Sequence, residues 1–195
     1  LDGLEDAYQR GTAMGVFAES CADKYAFTRE EQDAFSLESL RRAREATEDG
    51  SFKWEIAPVT IAGRKGDTVV ETDESPMKAM PEKIPSLKPA FRKDGTVTAA
   101  NSSSISDGAA AMVLMRESTA KKLGATPIAR VVAHSQHSHE PEWFTTAPVS
   151  AMQKLMTKTG WDVKDVDLFE INEAFAVVTM AAMRELGLDH NKVNI

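Results

Sequence analysis

Asp167-Leu168-Phe169-Glu170-Ile171-Asn172-Glu173-Ala174-Phe175-Ala176-Val177-Val178 is the stretch that decides how this chain is read. Leu168, Phe169 and Ile171 form a short apolar run of strand length. Phe175, Val178, Ala182, Met183 and Leu186 then recur at helical spacing, and Gly187 is a natural stop. Asn172 falls between the two, at the expected helix N-cap. Where a strand runs into a helix N-terminus, α/β proteins gather free N–H groups and the positive end of the helix dipole. Two roles therefore fit Asn172: a helix cap, or an amide aimed into a site, where it orients a water or stabilises an oxyanion.

Working outward, the same alternation recurs. Residues 109–115 and 128–133 read as buried strands, residues 117–123 and 148–159 as helices closed by Gly124 and Gly160. Lys192 to Ile195 reads as the start of a further strand. Strand and helix in turn from Gly108 onward argue for α/β layers, with helices covering the faces of a sheet. The first ninety or so residues form a different unit. A helix over 14–24 is followed by a long one opened by a capping box, Thr28 with Glu31, and ended near Gly50. A hairpin follows, with strands over 55–61 and 68–71 about the turn Gly63-Arg64-Lys65-Gly66-Asp67. Pro76, Pro81, Pro85 and Pro89 then exclude a central strand or a long helix. The small, polar stretch from Thr96 to Gly108 is either a surface loop or a place where backbone and ligand approach closely.

The totals bound the function. A chain of 195 residues with 42% hydrophobic content can bury a sizeable core. Its net charge of −7 argues against general affinity for nucleic acid or an anionic membrane. No apolar run approaches the length of a membrane span, and Leu1 to Asp6 lack the features of a signal peptide. The missing initiator methionine and abrupt end are those expected of an internal piece. Cys21 is the only cysteine, so no internal disulfide forms, and a reducing, cytoplasmic setting is expected. Glu19 and Asp23 beside it disfavour a thiolate, which makes Cys21 a packed residue rather than a nucleophile.

Arg41, Arg42 and Arg44 read as a solvated face paired with Glu38, Glu45 and Glu48, phosphate contact being the other reading. His134, His137, His139 and Glu140 crowd one loop without a helical His-x-x-x-His pair, and no metal is expected there. There is no Walker loop, nucleophile elbow or Gly-x-Gly-x-x-Gly loop.

Taken in order, a set of short motifs resembles the thiolases of the acetyl-CoA acetyltransferase and 3-ketoacyl-CoA thiolase group. They are Met14-Gly15 with Ala18-Glu19, Thr28 to Asp33, Gly63 to Asp67, Leu87-Lys88-Pro89-Ala90-Phe91, Gly95 to Ala99 with Asn101, Ser106 to Ala110, and Asn172-Glu173-Ala174-Phe175. Each is weak alone, and the ordered set is specific. The resemblance implies a layered α/β thiolase fold, incomplete, carrying an α+β loop domain. It divides the chain into a loop domain on the coenzyme A side (1–92), the end of the N-terminal core domain (93–125) and the first half of the C-terminal core domain (126–195).

The implied reaction is reversible condensation of acetyl-CoA, or thiolytic cleavage of 3-ketoacyl-CoA, through an acyl-cysteine. The family's nucleophilic cysteine lies upstream of such a segment. Its Gly-His-Pro histidine and Cys-x-Gly cysteine lie downstream, and none of the three is in this sequence. Asn172 matches the asparagine that holds a water in the oxyanion hole. Ala174 and Phe175 match residues lining the acyl and pantetheine channel. Ser103 matches a serine on the pantetheine arm, with Ala99 and Phe91 its neighbours, and Met14 and Phe144 match positions near the acyl end or pantetheine. Ala13, where some relatives carry histidine, and Ser104, where glycine is common, depart from the pattern.

The resemblance further implies coenzyme A thioesters as substrates, no other cofactor, and a homodimer or homotetramer; from the charge and the lack of an apolar span, no nucleic acid or membrane partner is expected. Two other readings are a coenzyme A-binding or assembly segment without turnover, and a metal-dependent hydrolase using His137 and His139.

Overall fold

The computed structural model describes residues 3–195. Leu1 and Asp2, where the signal-peptide reading begins, lie outside the described residues. Among the described residues, six α-helices are joined by short 3-10 turns and one small hairpin: α1 (Met14–Tyr25), α2 (Arg29–Asp49), α3 (Glu74–Lys78), α4 (Glu117–Leu123), α5 (Ala147–Thr159) and α6 (Ala176–Leu186), with β1 (Val59–Ile61) and β2 (Thr68–Val70) between α2 and α3.

The helix ends follow local chemistry. Thr28 Oγ1 accepts the Glu31 N–H at 3.1 Å while Glu31 Oε2 accepts the Thr28 N–H at 2.8 Å, completing the expected capping box of α2. That helix stops at Gly50, whose φ of 78° turns the chain in the left-handed region that glycine tolerates. Arg41 pairs with Glu38 and Glu45 on the solvated face, as expected, while Arg42 pairs with Glu38 but is only 13% exposed; the Arg41 and then Arg42 hydrogen bonds hold the Glu38 carboxyl down at about 2. Arg42 also donates to the carbonyls of His190, Val193 and Asn194, and Arg44 to those of Pro76 and Ala79.

The core lies where α1, α5 and α6 meet. Ala18, Cys21, Val97, Val177, Ala181, Ala182 and Val193 are all fully buried there. Helix α6 is buried around most of its circumference, which matches its apolar content. Burial pushes the Cys21 thiol above its ordinary range, against smaller opposing effects of the Thr145 hydroxyl and Lys24. Cys21 is thus a packing residue, as its acidic neighbours suggested.

Three expectations are corrected. Helix α6 begins at Ala176, and its N-cap is Phe175 rather than Asn172. The first helical N–H needs no side-chain cap, because Ala176 N donates to the Asn101 carbonyl at 2.9 Å. Residues 168–171 form no sheet strand, although Phe169 bridges Val193 in parallel. Residues 109–115 and 128–133 run outside any named strand and are exposed, with Val113 at 83% and Ile128 at 85%. A strand sequence forms a strand only where a neighbouring strand pairs with its backbone, and among the described residues the only sheet is the β1–β2 hairpin. That hairpin pairs in antiparallel register, Val59 with Val70 and Ile61 with Thr68.

Candidate functional site

The site is assembled by a clamp from α1. The Glu19 carboxylate, 1% exposed, accepts the N–H groups of Thr96 at 3.0 Å and Val97 at 2.9 Å, with Arg92 Nη2 at 3.5 Å. Gly95 is required beside it, because a Cβ there lands on the Glu19 carboxylate. From this turn the chain runs to buried Asn101. Asn101 Oδ1 accepts the Thr98 N–H at 2.8 Å and its Nδ2 donates to the Thr96 carbonyl at 3.1 Å. Asn101 thereby fixes the strip that meets the start of α6. Ser102 and Phe175 form an antiparallel bridge, and Ser103 N donates to the Ala174 carbonyl at 3.0 Å.

Phe175, buried, is the centre of an aromatic group. Phe91 stands edge-on to it at 6.0 Å and Phe144 at 6.3 Å between ring centroids. Met14, Phe91, Phe144 and Ala174 are half-buried against the same core. Gly15 admits the Phe91 ring, which a Cβ at that position would strike. Five of the sequence-selected residues, Met14, Phe91, Phe144, Ala174 and Phe175, therefore share this wall. Ser103 lies exposed at its rim, bonded to Ala174. Ala99 is exposed in the turn before Asn101.

Asn172 is exposed, three positions before the helix cap. The residues flanking it are held firmly. Asn194 Oδ1 accepts the Ile171 N–H at 2.8 Å, and its Nδ2 donates to the Ile171 carbonyl at 2.8 Å and to Glu173 Oε1 at 2.7 Å. Ser39 Oγ donates to the other Glu173 oxygen at 2.7 Å. Sequence reading missed Asn194 and Ser39, since both act across long separations and no local pattern marks either.

The histidine loop does not converge on a metal. Among the described residues no group of three or more His, Cys, Asp or Glu side chains is placed to hold one. His137 Nδ1 lies 3.0 Å from Lys154 Nζ, and partial burial, then the charges of Lys154 and His139, hold its imidazole below the usual value. A groove of about 660 Å3 beside α2, lined by Leu37, Leu40, Arg41 and Pro81, is separate from the aromatic wall.

Residues 1–118 match the family model of the thiolase N-terminal domain, and residues 125–195 that of the thiolase C-terminal domain. The chain belongs to the thiolase family. All of it aligns at 51% identity with 47% of the probable acetyl-CoA acetyltransferase of Dictyostelium discoideum, and at 49% identity with half of the acetyl-CoA acetyltransferase of Thiocystis violacea. The chain spans about half the length of the curated relatives it matches. Its fold is that of solved thiolases. The crystal structure of the Bacillus anthracis acetyl-CoA acetyltransferase superimposes with a TM-score of 0.94 at 44% identity, covering 98% of this chain and 48% of that one. The Ascaris suum Acat5 thiolase in complex with coenzyme A gives 0.92 at 42% identity, covering 99% and 49%. The thiolase resemblance read from the ordered motifs is thus correct. No helix among the described residues is long and apolar enough to cross a membrane.

Proposed function

We propose that the full-length protein carrying this chain is an acetyl-CoA C-acyltransferase, which condenses acetyl-CoA or cleaves 3-ketoacyl-CoA through an acyl-cysteine outside residues 1–195. Residues 1–92 serve as the loop domain on the coenzyme A side, 93–125 as the end of the N-terminal core domain, and 126–195 as the first half of the C-terminal one. The observation carrying this reading is the wall of Phe91, Phe144 and Phe175 beside the Ser103–Ala174 hydrogen bond, with Asn172 exposed on the approach to the same helix. An apolar wall with a polar rim suits a pantetheine arm, whose chain is part apolar and part amide.

In this reading Ser103 and Ala99 contact the arm. Met14, Phe91, Phe144, Ala174 and Phe175 line the channel. The Asn172 carboxamide holds the water that donates to the thioester oxygen as negative charge develops there. Cysteine nucleophile, activating histidine and second cysteine come from the flanking parts. The chemistry calls for no cofactor beyond the coenzyme A thioesters themselves. The protein works as a cytoplasmic homo-oligomer, a dimer or tetramer, and the 195 residues alone bind without turning over.

The test is Asn172→Ala in the full-length protein, assayed for thiolysis of acetoacetyl-CoA. Loss of an oxyanion donor lowers kcat by about a hundredfold or more with KM little changed. An unchanged kcat removes Asn172 from the reaction.

A further inference from the structure

The segment that carries Asn172 is irregular and lies between the Phe169–Val193 bridge and the Ser102–Phe175 bridge. Between those bridges the side chain that grips it on both sides of Asn172 is Asn194. Asn194 makes a cyclic pair of hydrogen bonds with both backbone groups of Ile171, the residue before Asn172, and a third with the carboxylate of Glu173, the residue after it. The arrangement needs one acceptor and two donors on a single short side chain, which a primary amide supplies and a carboxylate does not. Asn194 adopts φ of 51°, a left-handed conformation that asparagine tolerates better than most residues. Its own position is fixed in turn. Asn194 N donates to the Phe169 carbonyl at 2.9 Å, and Arg42 Nη1 donates to the carbonyls of Val193 at 2.7 Å and Asn194 at 3.2 Å. Glu173 is also held from α2, through Ser39.

We propose that Asn194 is the positioning residue for Asn172: it clips the backbone on one side and the carboxylate on the other, and so fixes where the Asn172 carboxamide stands. The inference rests on the reading of Asn172 as the holder of the oxyanion water. Misplacing a reacting or stabilising group by about 1 Å can cost about a hundredfold in rate without touching substrate. The role of Asn194 is therefore seen in kcat and not in KM.

The experiment is a double-mutant cycle in the full-length protein with acetoacetyl-CoA and coenzyme A. Asn172→Ala is measured first, and a wild-type kcat there overturns the underlying reading whatever Asn194 does. Given a loss in Asn172→Ala, the expected result for Asn194→Asp is a fall in kcat of about tenfold or more with KM within about twofold. The combined Asn172→Ala/Asn194→Asp protein is expected to be no slower than Asn172→Ala alone, because Asn194 acts only through Asn172.

A second variant guards against simple misfolding. In Asn194→Asp/Glu173→Gln the new amide at position 173 can donate to the new carboxylate at position 194, reversing the lost bond, and kcat is expected to recover in part. A wild-type kcat in Asn194→Asp overturns the proposal. So do losses that multiply in the double variant, and so does a failure of Glu173→Gln to restore rate to Asn194→Asp.

Discussion

Phe91 meets Phe175 edge to face, with ring planes at 80° and centroids 6.0 Å apart, and Gly15 on α1 is what lets it do so. The contact ties the first helix of the chain to the start of the last one, and Phe144 completes the group from the third side.

Gly15→Ala is therefore expected to push the Phe91 ring off Phe175. Overpacking of a filled site costs about 1–3 kcal/mol. Helix propensity works the other way, by at most about 1 kcal/mol in favour of alanine. The net expectation is destabilisation, read by urea unfolding of wild type and variant. In the full-length protein the same change is expected to raise KM for the acyl-CoA more than it lowers kcat.

Glu19 is buried and accepts two backbone N–H groups. Glu19→Gln keeps the volume but turns an NH2 toward one of those donors. A buried donor left unpaired costs about 1–3 kcal/mol. Arg92, whose side chain is 44% exposed, is expected to matter less, in the range of a surface ion pair at about 0–1 kcal/mol. Equilibrium unfolding of Glu19→Gln and Arg92→Ala at one pH compares the two. Equal losses would contradict the clamp described for Thr96 and Val97.

Acid is expected to weaken the contact between α2 and the chain end. His190 stacks on Phe35 with centroids 5.2 Å apart, and burial, then the charge of Arg42, hold its imidazole below the ordinary value. Glu38, Glu173 and Asp189 oppose that shift. A histidine depressed in the folded state takes up its proton more readily when unfolded. Its stabilising contribution is full above the ordinary value of about 6.5 and is lost as pH falls through the folded value. Melting temperatures from about pH 7.5 to 5 are expected to fall, and to fall less in His190→Gln.

The exposed apolar stretches predict the solution behaviour of the 195 residues by themselves. Met112 at 81% and Val131 at 71% exposure belong to runs with no strand beside them among the described residues. Such edges recruit other chains. Light scattering of the purified chain is expected to rise with concentration, and Val113→Lys with Val131→Lys to reduce it. A sample that stays monomeric and melts cooperatively would count against this.

What the sequence revealed was local. The Thr28 capping box, the hairpin turn, and the helix stops at Gly50, Gly160 and Gly187 all follow from residues a few positions apart. The ordered motifs likewise disclosed the thiolase fold. Asn172 was misplaced as a cap because the N–H at the helix start is satisfied by Asn101, far upstream, which no window of sequence reveals. Residues 109–115 carry the composition of a strand, but composition cannot supply the neighbouring strands that make it one. Asn194 stood unremarked for the same reason: its three partners lie at Ile171 and Glu173, and only the fold brings them near.

The short ladder of Asn101–Ala176, Ser102–Phe175 and Ser103–Ala174 has one partner in each matched domain, 1–118 on one side and 125–195 on the other. It is a main-chain seam, so the spacing between the halves is set by peptide groups and is insensitive to which side chains sit there. Its contacts run from peptide group to peptide group, so the two matched domains keep the same separation along it whichever residues stand at Ser102 and Ser103.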